Sequence, residues 1–418
     1  MADAPLTWGQ QDIWRAVVAA EPQERYLTIG RVFAAPKRPV TVERAVQALD
    51  RLVARHESLR TRLTGPRDAP RQRVADVARI EVEVVESEPV QRVCDRLAAE
   101  PFAYWDEWPL RVALVVAGGY VRHIALVLCH LAADGHAADL IVKDFRLLLL
   151  RDALPPVQSD TPRQLAAWQH SAEGRRASSD AIGFWLGEYA RIDPVPDPSL
   201  PPQRPRFREA TMGSTALAAA TQAVATRNRV SSSTVLLTAA IRLAGGLTGQ
   251  RTCGMRVIVN NRFAAGRRDV VSTISQEGLL VLDLGDASTG FDELVRRCWG
   301  VAMRAYRQAQ FDPYAMEEAV TAVGPGIRSF GCFNDQRLVQ GDGPPGADEH
   351  DVRAAMDKTE LAWTDAMDRN ICDFRLHIGG EPDRMDVSLY ADTALLAPPD
   401  IERYLMDLES LVVEAAFR

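Results

Sequence analysis

Two apolar runs with the pattern of β-strands lie on either side of a double glycine in the first half of the chain. Leu110 to Val116 and His123 to Leu128 flank Gly118-Gly119, a pair that favours the tight turn of a hairpin. The second run leads into the polar segment His130 to Gly135, and a helical pattern follows from Ala137 to Leu150. Loop residues at such a junction are well placed to line a cleft. The sequence therefore predicts an α/β fold with a polar site at this point.

The length of 418 residues exceeds what one ordinary hydrophobic core organises, and it predicts two lobes of about 200 residues each. A proline-rich stretch between Arg191 and Arg208 cannot sustain helical or strand hydrogen bonding, because many of its positions lack a backbone donor. We therefore predict an N-terminal lobe over residues 1–190, a linker over 191–208 and a C-terminal lobe over 209–418.

Helical and strand patterns occur in both predicted lobes. Leu6 to Ala20 predicts a helix capped by Thr7, Val42 to His56 carries an apolar stripe of helical period, and Pro399 to Ala416 predicts a last helix. Helices are also predicted over residues 214–228, 233–247 and 291–308, and strands over 26–33, 59–63, 72–74, 80–85, 254–260, 279–284, 375–378 and 385–390. Each lobe should therefore pack helices on a mixed sheet.

Charge and composition argue against several classes of function. A formal net charge of -7 does not fit the basic face that nucleic-acid binding requires. The N-terminus lacks the pattern of a signal peptide and no stretch approaches 18 uncharged apolar residues, so we expect a cytoplasmic protein that does not bind membranes. Six cysteines without a CxxC pair predict neither a zinc site nor a disulfide framework, and reduced thiols are expected.

His130 is followed after four residues by Asp134 and then by Gly135. A neutral imidazole accepts a proton from an amine or alcohol near neutral pH, and a nearby carboxylate commonly orients it. The glycine would permit a backbone conformation that a Cβ obstructs, and it would bring an amide N–H towards a developing oxyanion. The alternative is a histidine packed at a strand end beside a turn-forming Asp-Gly pair. The spacing alone leaves both interpretations open.

Four segments occur in the order of one family's motifs: Leu6 to Trp14, Arg55 to Leu63, Cys129 to Gly135, and Val257 to Arg262. They resemble the condensation domains of non-ribosomal peptide synthetases, members of the chloramphenicol-acetyltransferase-like superfamily. That family's core signature is His-His-x-x-x-Asp-Gly, and the third segment has its second histidine, its aspartate and its glycine. The family's Gly-x-Phe-x-Asn run has no counterpart in Gln276 to Leu284.

The resemblance implies two lobes of the chloramphenicol-acetyltransferase type, arranged as a V with the active site in the tunnel between them. His130 would be the catalytic histidine, either as a general base or as a group that positions the acceptor, and Gly135 would complete its motif. Asp134 would be structural and would pair with Arg262, since a buried carboxylate needs a counter-ion. Asn334 is a candidate polar residue on the acceptor side.

Cys129 replaces the first histidine of the signature. A buried thiol at this position would fill space as a small apolar group. Alternatively, a thiolate beside an imidazole would take up the acyl group before its transfer.

The implied function is that of a free-standing acyltransferase, which forms an amide or ester between a thioester and an amine or hydroxyl. The resemblance implies no metal and no tightly bound cofactor; the acyl donor would arrive on the phosphopantetheine of a carrier protein in trans or on CoA. The acceptor would be a small molecule. Two alternatives stay open: a non-catalytic module that recruits other proteins, and an epimerase of a carrier-bound aminoacyl thioester that uses Glu277 as a second catalytic group.

Overall fold

The computed structural model describes residues 3–21, 27–286, 288–324, 329–337, 348–370, 372–381 and 383–418. The chain divides into two compact units, one made of Met1–Ala177 with Asn260–Gln276 and the other of Ser178–Val259 with Glu277–Arg418. This division differs from the predicted one. Residues 191–208 lie inside the second unit, and Arg262, which falls in the predicted C-terminal lobe, belongs to the first unit.

The first unit contains seven described strands and five described helices. They are β1 (Ala4–Pro5), α1 (Trp8–Ala20), β2 (Thr28–Ala34), α2 (Val42–Arg55), β3 (Thr61–Thr64), β4 (Arg71–Val74), β5 (Val82–Glu86), α3 (Val90–Ala98), β6 (Leu110–Ala117), β7 (Tyr120–Cys129), α4 (Gly135–Leu150) and α5 (Pro162–Gln169). A four-stranded sheet has the order β2-β7-β6-β5, and a three-stranded sheet has the order β1-β4-β3.

Alternating side chains of the four-stranded sheet build two cores. Leu126 and Leu128 of β7 pack with the apolar stripes of α2 and α4, whereas Val127 and Cys129 of the same strand pack with α1 and α3. The predicted hairpin is present, with β6 and β7 antiparallel around Gly118-Gly119. The strand predicted over residues 59–63 begins instead as a 3-10 turn, Glu57–Arg60, and residue 26 of the first predicted strand lies outside the described residues.

The second unit begins at Ser178, within the helix Ala172–Tyr189. Its elements are α6 (Ala172–Tyr189), β8 (Phe207–Ser214), α7 (Thr215–Asn228), α8 (Ser232–Thr248), β9 (Thr252–Val259), β10 (Gln276–Asp283), α9 (Phe291–Arg307), α10 (Pro313–Val323), β11 (Gly331–Asp335), α11 (Glu349–Met356), β12 (Glu360–Met367), β13 (Phe374–Glu381), β14 (Arg384–Asp392) and α12 (Pro398–Ala416). The strands form one mixed sheet in the order β10-β9-β11-β13-β14-β8-β12.

One face of the seven-stranded sheet packs on helices through its apolar side chains. Met212, Leu376 and Leu389 of three strands share a core with α7, α8, α9 and α12. At the β10 edge, Leu279 and Val281 pack on the other side against Trp185 and residues of α10. Within the described part of the chain, no single helix is long and apolar enough to cross a membrane; α7 and α8 meet the requirement only as a pair bent by 105°.

The prediction that all six cysteines are unpaired is wrong for two of them. Cys332 and Cys372 form a disulfide, although 40 residues separate them in sequence. Cys332 lies on β11 and Cys372 just before β13, and these two strands are parallel neighbours in the sheet. Strand pairing, which has no CxxC signature, brings the two sulfur atoms together.

Candidate active site

The loop that carries His130 is short, and hydrogen bonds fix it at both ends. The Cys129 N–H donates to the Pro109 carbonyl (3.0 Å) and the His130 N–H donates to that of Leu27 (3.3 Å). Asp134 ends the loop as the N-cap of α4, where its carboxylate accepts a hydrogen bond from the Ala137 N–H (2.9 Å). His130 is therefore held between the last residue of β7 and a capped helix.

The His130 ring contacts Thr273, a fully buried residue of the returning segment Asn260–Gln276. Thr273 Oγ1 donates to the His130 carbonyl oxygen, and the same Oγ1 lies 3.4 Å from His130 Nδ1. Because the hydroxyl hydrogen is already used, Oγ1 meets the ring through a lone pair, which favours a proton on Nδ1. Nε2 then carries the free lone pair of the imidazole.

Burial lowers the pKa of His130, and this effect exceeds the opposing influence of Asp134 and of nearby backbone carbonyls. The imidazole is consequently neutral at pH 7. A neutral ring with a free lone pair on Nε2 is able to accept a proton from an attacking nucleophile.

Asp134 and Arg262 form a bidentate ion pair in the interior of the first unit. Arg262 Nη1 donates to Oδ2 and Nη2 to Oδ1, both at 2.8 Å, and the two side chains are 4% and 3% exposed. Arg262 Nη2 also donates to the carbonyl oxygens of Val270 (3.1 Å) and Ser272 (3.2 Å). The structure thus brings together the two residues that the resemblance paired, within one unit.

The Asp134 carboxylate also holds the returning segment. Oδ2 accepts hydrogen bonds from the backbone N–H groups of Ile274 and Ser275, each at 3.1 Å, and from Ser275 Oγ at 2.9 Å. Burial alone would raise the pKa of Asp134, but the Arg262 guanidinium and the donated hydrogen bonds outweigh it and place the pKa below its usual value. The carboxylate is therefore charged and fully engaged in structure.

Gly135 does not occupy a conformation reserved for glycine. It is the first residue of α4, its φ is not among the positive values of the chain, and a Cβ built on it would come no closer than 3.8 Å to Arg31 Nη2. The expectation that a Cβ would obstruct this backbone is wrong, because the loop reaches the helix with ordinary helical geometry.

The Cys129 side chain lies among the apolar residues between β7 and α1. It is 4% exposed, and burial raises the pKa of its thiol to about 12. It borders a cavity of about 30 Å³, which has room for one or two water molecules. A protonated thiol in this position packs as a small apolar group, as the first interpretation of Cys129 expects.

Comparison with known proteins gives the family. Residues 2–274 match the family model described as a condensation domain. The chain belongs to the condensation-domain family. It is 28% identical over 323 residues to a probable non-canonical non-ribosomal peptide synthetase, CymA, from Salinispora arenicola, an alignment that covers 72% of this chain. The chain spans only about 4% of the length of that relative.

Solved structures share the fold of this condensation domain over its whole length. The condensation domain of the monacolin K polyketide synthase MokA superposes with a TM-score of 0.78 at 16% identity, covering 100% of this chain and 98% of the other. The X-domain of teicoplanin biosynthesis, in its complex with OxyB, superposes with a TM-score of 0.70 at 17% identity, covering 100% and 94%. At these identities the likeness concerns the fold alone.

The family's opening motif contacts the His130 loop of this condensation domain through hydrogen bonds. Gln10 Nε2 donates to the carbonyl of Leu131, next to His130 (3.2 Å), and Thr7 Oγ1 donates to the carbonyl of Thr273 (3.3 Å). A Cβ at Gly9 would lie 2.6 Å from that same carbonyl oxygen, so only glycine permits this approach of α1. The sequence predicted the α1 helix but not this contact, because Thr273 belongs to no recognised motif.

The second motif joins α2 to α4, the helix that Asp134 caps. Asp144 of α4 accepts from Arg55 Nε (2.7 Å) and lies 3.0 Å from His56 Nε2. Burial lowers the pKa of His56, although Asp144 opposes the shift. Arg55 and His56 of this motif therefore both help to position α4.

Two predicted site residues lie in the second unit. Asn334 is on β11, directly opposite His377 of β13 in the parallel register. Glu277 is on β10 and forms an ion pair with Arg256 of β9 (3.0 Å). Among the residues that the structure describes, no three His, Cys, Asp or Glu side chains are grouped as metal ligands would be.

Proposed function

We propose that this chain is a stand-alone condensation-type acyltransferase. It transfers an acyl group from a thioester to an amine or hydroxyl acceptor and forms an amide or an ester. The observation that carries the proposal is the state of His130: a neutral, half-buried imidazole whose Nδ1 faces the Thr273 hydroxyl. This contact supports the tautomer in which Nε2 accepts the proton.

Each atom of the proposed reaction has a defined fate. Nε2 of His130 accepts the proton of the acceptor N–H or O–H as that group attacks the thioester carbonyl carbon. A new C–N or C–O bond forms, the C–S bond breaks, and the imidazolium returns the proton to the departing thiolate. Asp134 and Arg262 take no part in bond making; they hold the loop and the returning segment in place.

The substrates are proposed from the family to which the chain belongs. The donor is presented on the phosphopantetheine of a carrier protein acting in trans, or on CoA, and the acceptor is a small amine or alcohol. Catalysis is proposed to take place in the cytoplasm, without nucleic acid or membrane as a partner.

Asn334 is proposed to contact the acceptor, together with its neighbour His377. Both side chains are half-buried and lie on the same face of two adjacent parallel strands. Burial, with Arg375 nearby, lowers the pKa of His377 to about 3, so this ring is also neutral. Two uncharged polar groups side by side suit recognition of a hydroxyl or amide on the acceptor.

The test is turnover of acyl thioesters with a panel of amines and alcohols, followed by mass spectrometry of the products. His130→Ala is expected to lower kcat by about a hundredfold or more, the usual contribution of a positioned general base. His123→Ala is the matched control, since His123 is an exposed histidine of β7. No product with any donor, or full activity of His130→Ala, would refute the proposal.

A non-catalytic recruitment module is the second candidate, and Cys129 in place of the first motif histidine favours it. The X-domain with the same fold is known from its complex with OxyB. An interaction partner recovered with equal affinity by the parent and by His130→Ala, in the absence of turnover, would support this alternative. A product with an inverted stereocentre would instead support an epimerase that uses Glu277.

A further inference from the structure

Two cysteines and an ion pair lie together on the sheet of the second unit. This cysteine cluster consists of Arg256 on β9, Glu277 on β10, Cys332 on β11 and Cys372 just before β13. Cys332 and Cys372 form a disulfide across a Cα separation of 6.6 Å, a distance that suits such a bond without backbone movement.

The ion pair faces both sulfur atoms. Arg256 Nη2 lies 3.5 Å from Cys372 Sγ, and Glu277 Oε1 lies 3.8 Å from Cys332 Sγ. A guanidinium beside a sulfur stabilises the thiolate form, and a carboxylate beside a thiol provides an acceptor for its proton. The cluster therefore carries one group that activates a thiol and one that receives a proton.

The cluster differs from the other cysteines of the same unit. Burial raises the pKa of the Cys253 and Cys298 thiols to about 12, which keeps them protonated and inert. Cys332 and Cys372 are also buried, at 5% and 3% exposed, but unlike Cys253 and Cys298 they contact an ion pair whose side chains are 28% and 27% exposed, and a small oxidant would reach the sulfur atoms past Arg256 and Glu277.

We propose that Cys332 and Cys372 form a reversible redox site, which hydroperoxides oxidise to the disulfide and dithiols reduce. The Cys372 thiolate attacks the peroxide, the O–O bond breaks, and a sulfenic acid forms with release of hydroxide, or alkoxide from an organic peroxide. Cys332 then attacks the sulfenic sulfur, its proton passes by way of Glu277 to the departing hydroxyl, and water leaves. A dithiol returns two hydrogens and restores both thiols by exchange.

The bond has a defined structural effect. It ties β11 to Cys372, two residues before β13 begins, and so closes the connection that carries α11 and β12, the strand at one end of the sheet order. Asn334 lies two residues after Cys332 on β11. The inference does not depend on the proposed acyl transfer, and its test uses no acyl substrate.

The test is differential alkylation of the whole protein, read by mass spectrometry, after full reduction and a graded exposure to hydrogen peroxide. Cys332 and Cys372 are expected to become linked to each other and to be recovered by dithiothreitol without denaturant, while Cys253 and Cys298 stay reduced. The proposal would be overturned if Cys332 and Cys372 stayed reduced at a peroxide concentration that oxidises the free amino acid cysteine. A disulfide that dithiothreitol reduces only after the protein is unfolded would overturn it as well.

Variants of the ion pair separate a reactive site from a merely structural disulfide. Arg256→Gln is expected to slow disulfide formation by about tenfold, and Arg256→Lys to retain most of the rate, since the thiolate depends on a nearby positive charge. Arg227→Gln is the matched control, because that arginine pairs with Asp292 on α9 of the same unit. An Arg256→Gln protein that melts like the parent and oxidises at the parental rate would contradict the role of the guanidinium.

Discussion

The Asp134 side chain is 3% exposed, yet its carboxylate carries a charge. Its oxygens accept hydrogen bonds from the first turn of α4, from the Arg262 guanidinium, and from the backbone of Ile274 and Ser275. An isolated buried carboxylate would become protonated, whereas both oxygens of this one accept several hydrogen bonds. At the scale of single residues, the aspartate organises the loop, whereas the proposed proton transfer belongs to His130.

Replacement of Asp134 by alanine is expected to lower the free energy of unfolding by about 3 to 5 kcal/mol, because the buried Arg262 charge loses its partner. Denaturant melts of the purified protein measure the change. Glu83→Ala is the control: it breaks the exposed pair with Arg96 and should leave the denaturation midpoint close to that of the parent, because solvent screens such a pair. If Asp134→Ala melts like the parent but has lost all activity, the structural role is wrong.

The lowered pKa of His130 predicts the acid side of the activity profile. The base form exists above the pKa, so kcat/KM should rise with pH, reach a plateau, and have its midpoint below about 6.5, the ordinary histidine value. Initial rates with one thioester and one acceptor between pH 4.5 and pH 8 measure this profile. A midpoint above the ordinary histidine value would show that burial does not determine the pKa of His130.

At the scale of elements, the local sequence pattern was sufficient to predict those helices and strands whose apolar side chains repeat with a helical or strand period. The β6–β7 hairpin, α1, α4 and α12 lie close to their predicted bounds. Local pattern could not reveal Thr273 beside His130, or the Cys332–Cys372 pair, because such contacts join residues distant in sequence. The 3-10 turn Glu57–Arg60 was missed because Leu59, its one apolar residue, also fits the start of a short strand.

The approach of α1 to Thr273 predicts a clear effect of Gly9→Ala. The added Cβ would lie 2.6 Å from a backbone oxygen, so either α1 or the returning segment must move, at an expected cost of about 1 to 3 kcal/mol. Thermal melts measure this cost. Gly183→Ala in α6 is the control, since nothing lies within 4 Å of its added Cβ. Equal melting of both variants and the parent would contradict the close contact.

At the scale of the whole molecule, the compact units do not follow the order of the chain. Asn260–Gln276 belongs to the first unit although the residues before and after it belong to the second. The sequence predicted a single linker, since a proline-rich stretch is visible and a returning segment is not. Arg262 could be matched to Asp134 only through the family resemblance.

Hydrogen exchange tests to which unit the returning segment belongs. In mild denaturant, the amides of Ile274 and Ser275 should lose protection together with β7 and α4, because Asp134 accepts their hydrogen bonds. The amides of α7 and α8 should follow the second unit. Loss of protection of Ile274 and Ser275 with α7 and α8, while β7 stays protected, would contradict the assignment.

During synthesis on the ribosome, Asp134 leaves the exit tunnel well before its guanidinium partner, which lies 128 residues later. At translation rates of about 5 to 20 residues per second, the delay is on the order of 10 s. A nascent chain in this interval has the histidine loop without the groups that fix it. A truncated chain whose translation stops before Gln276 should therefore lack a complete candidate active site. The site forms only late in the synthesis of each chain.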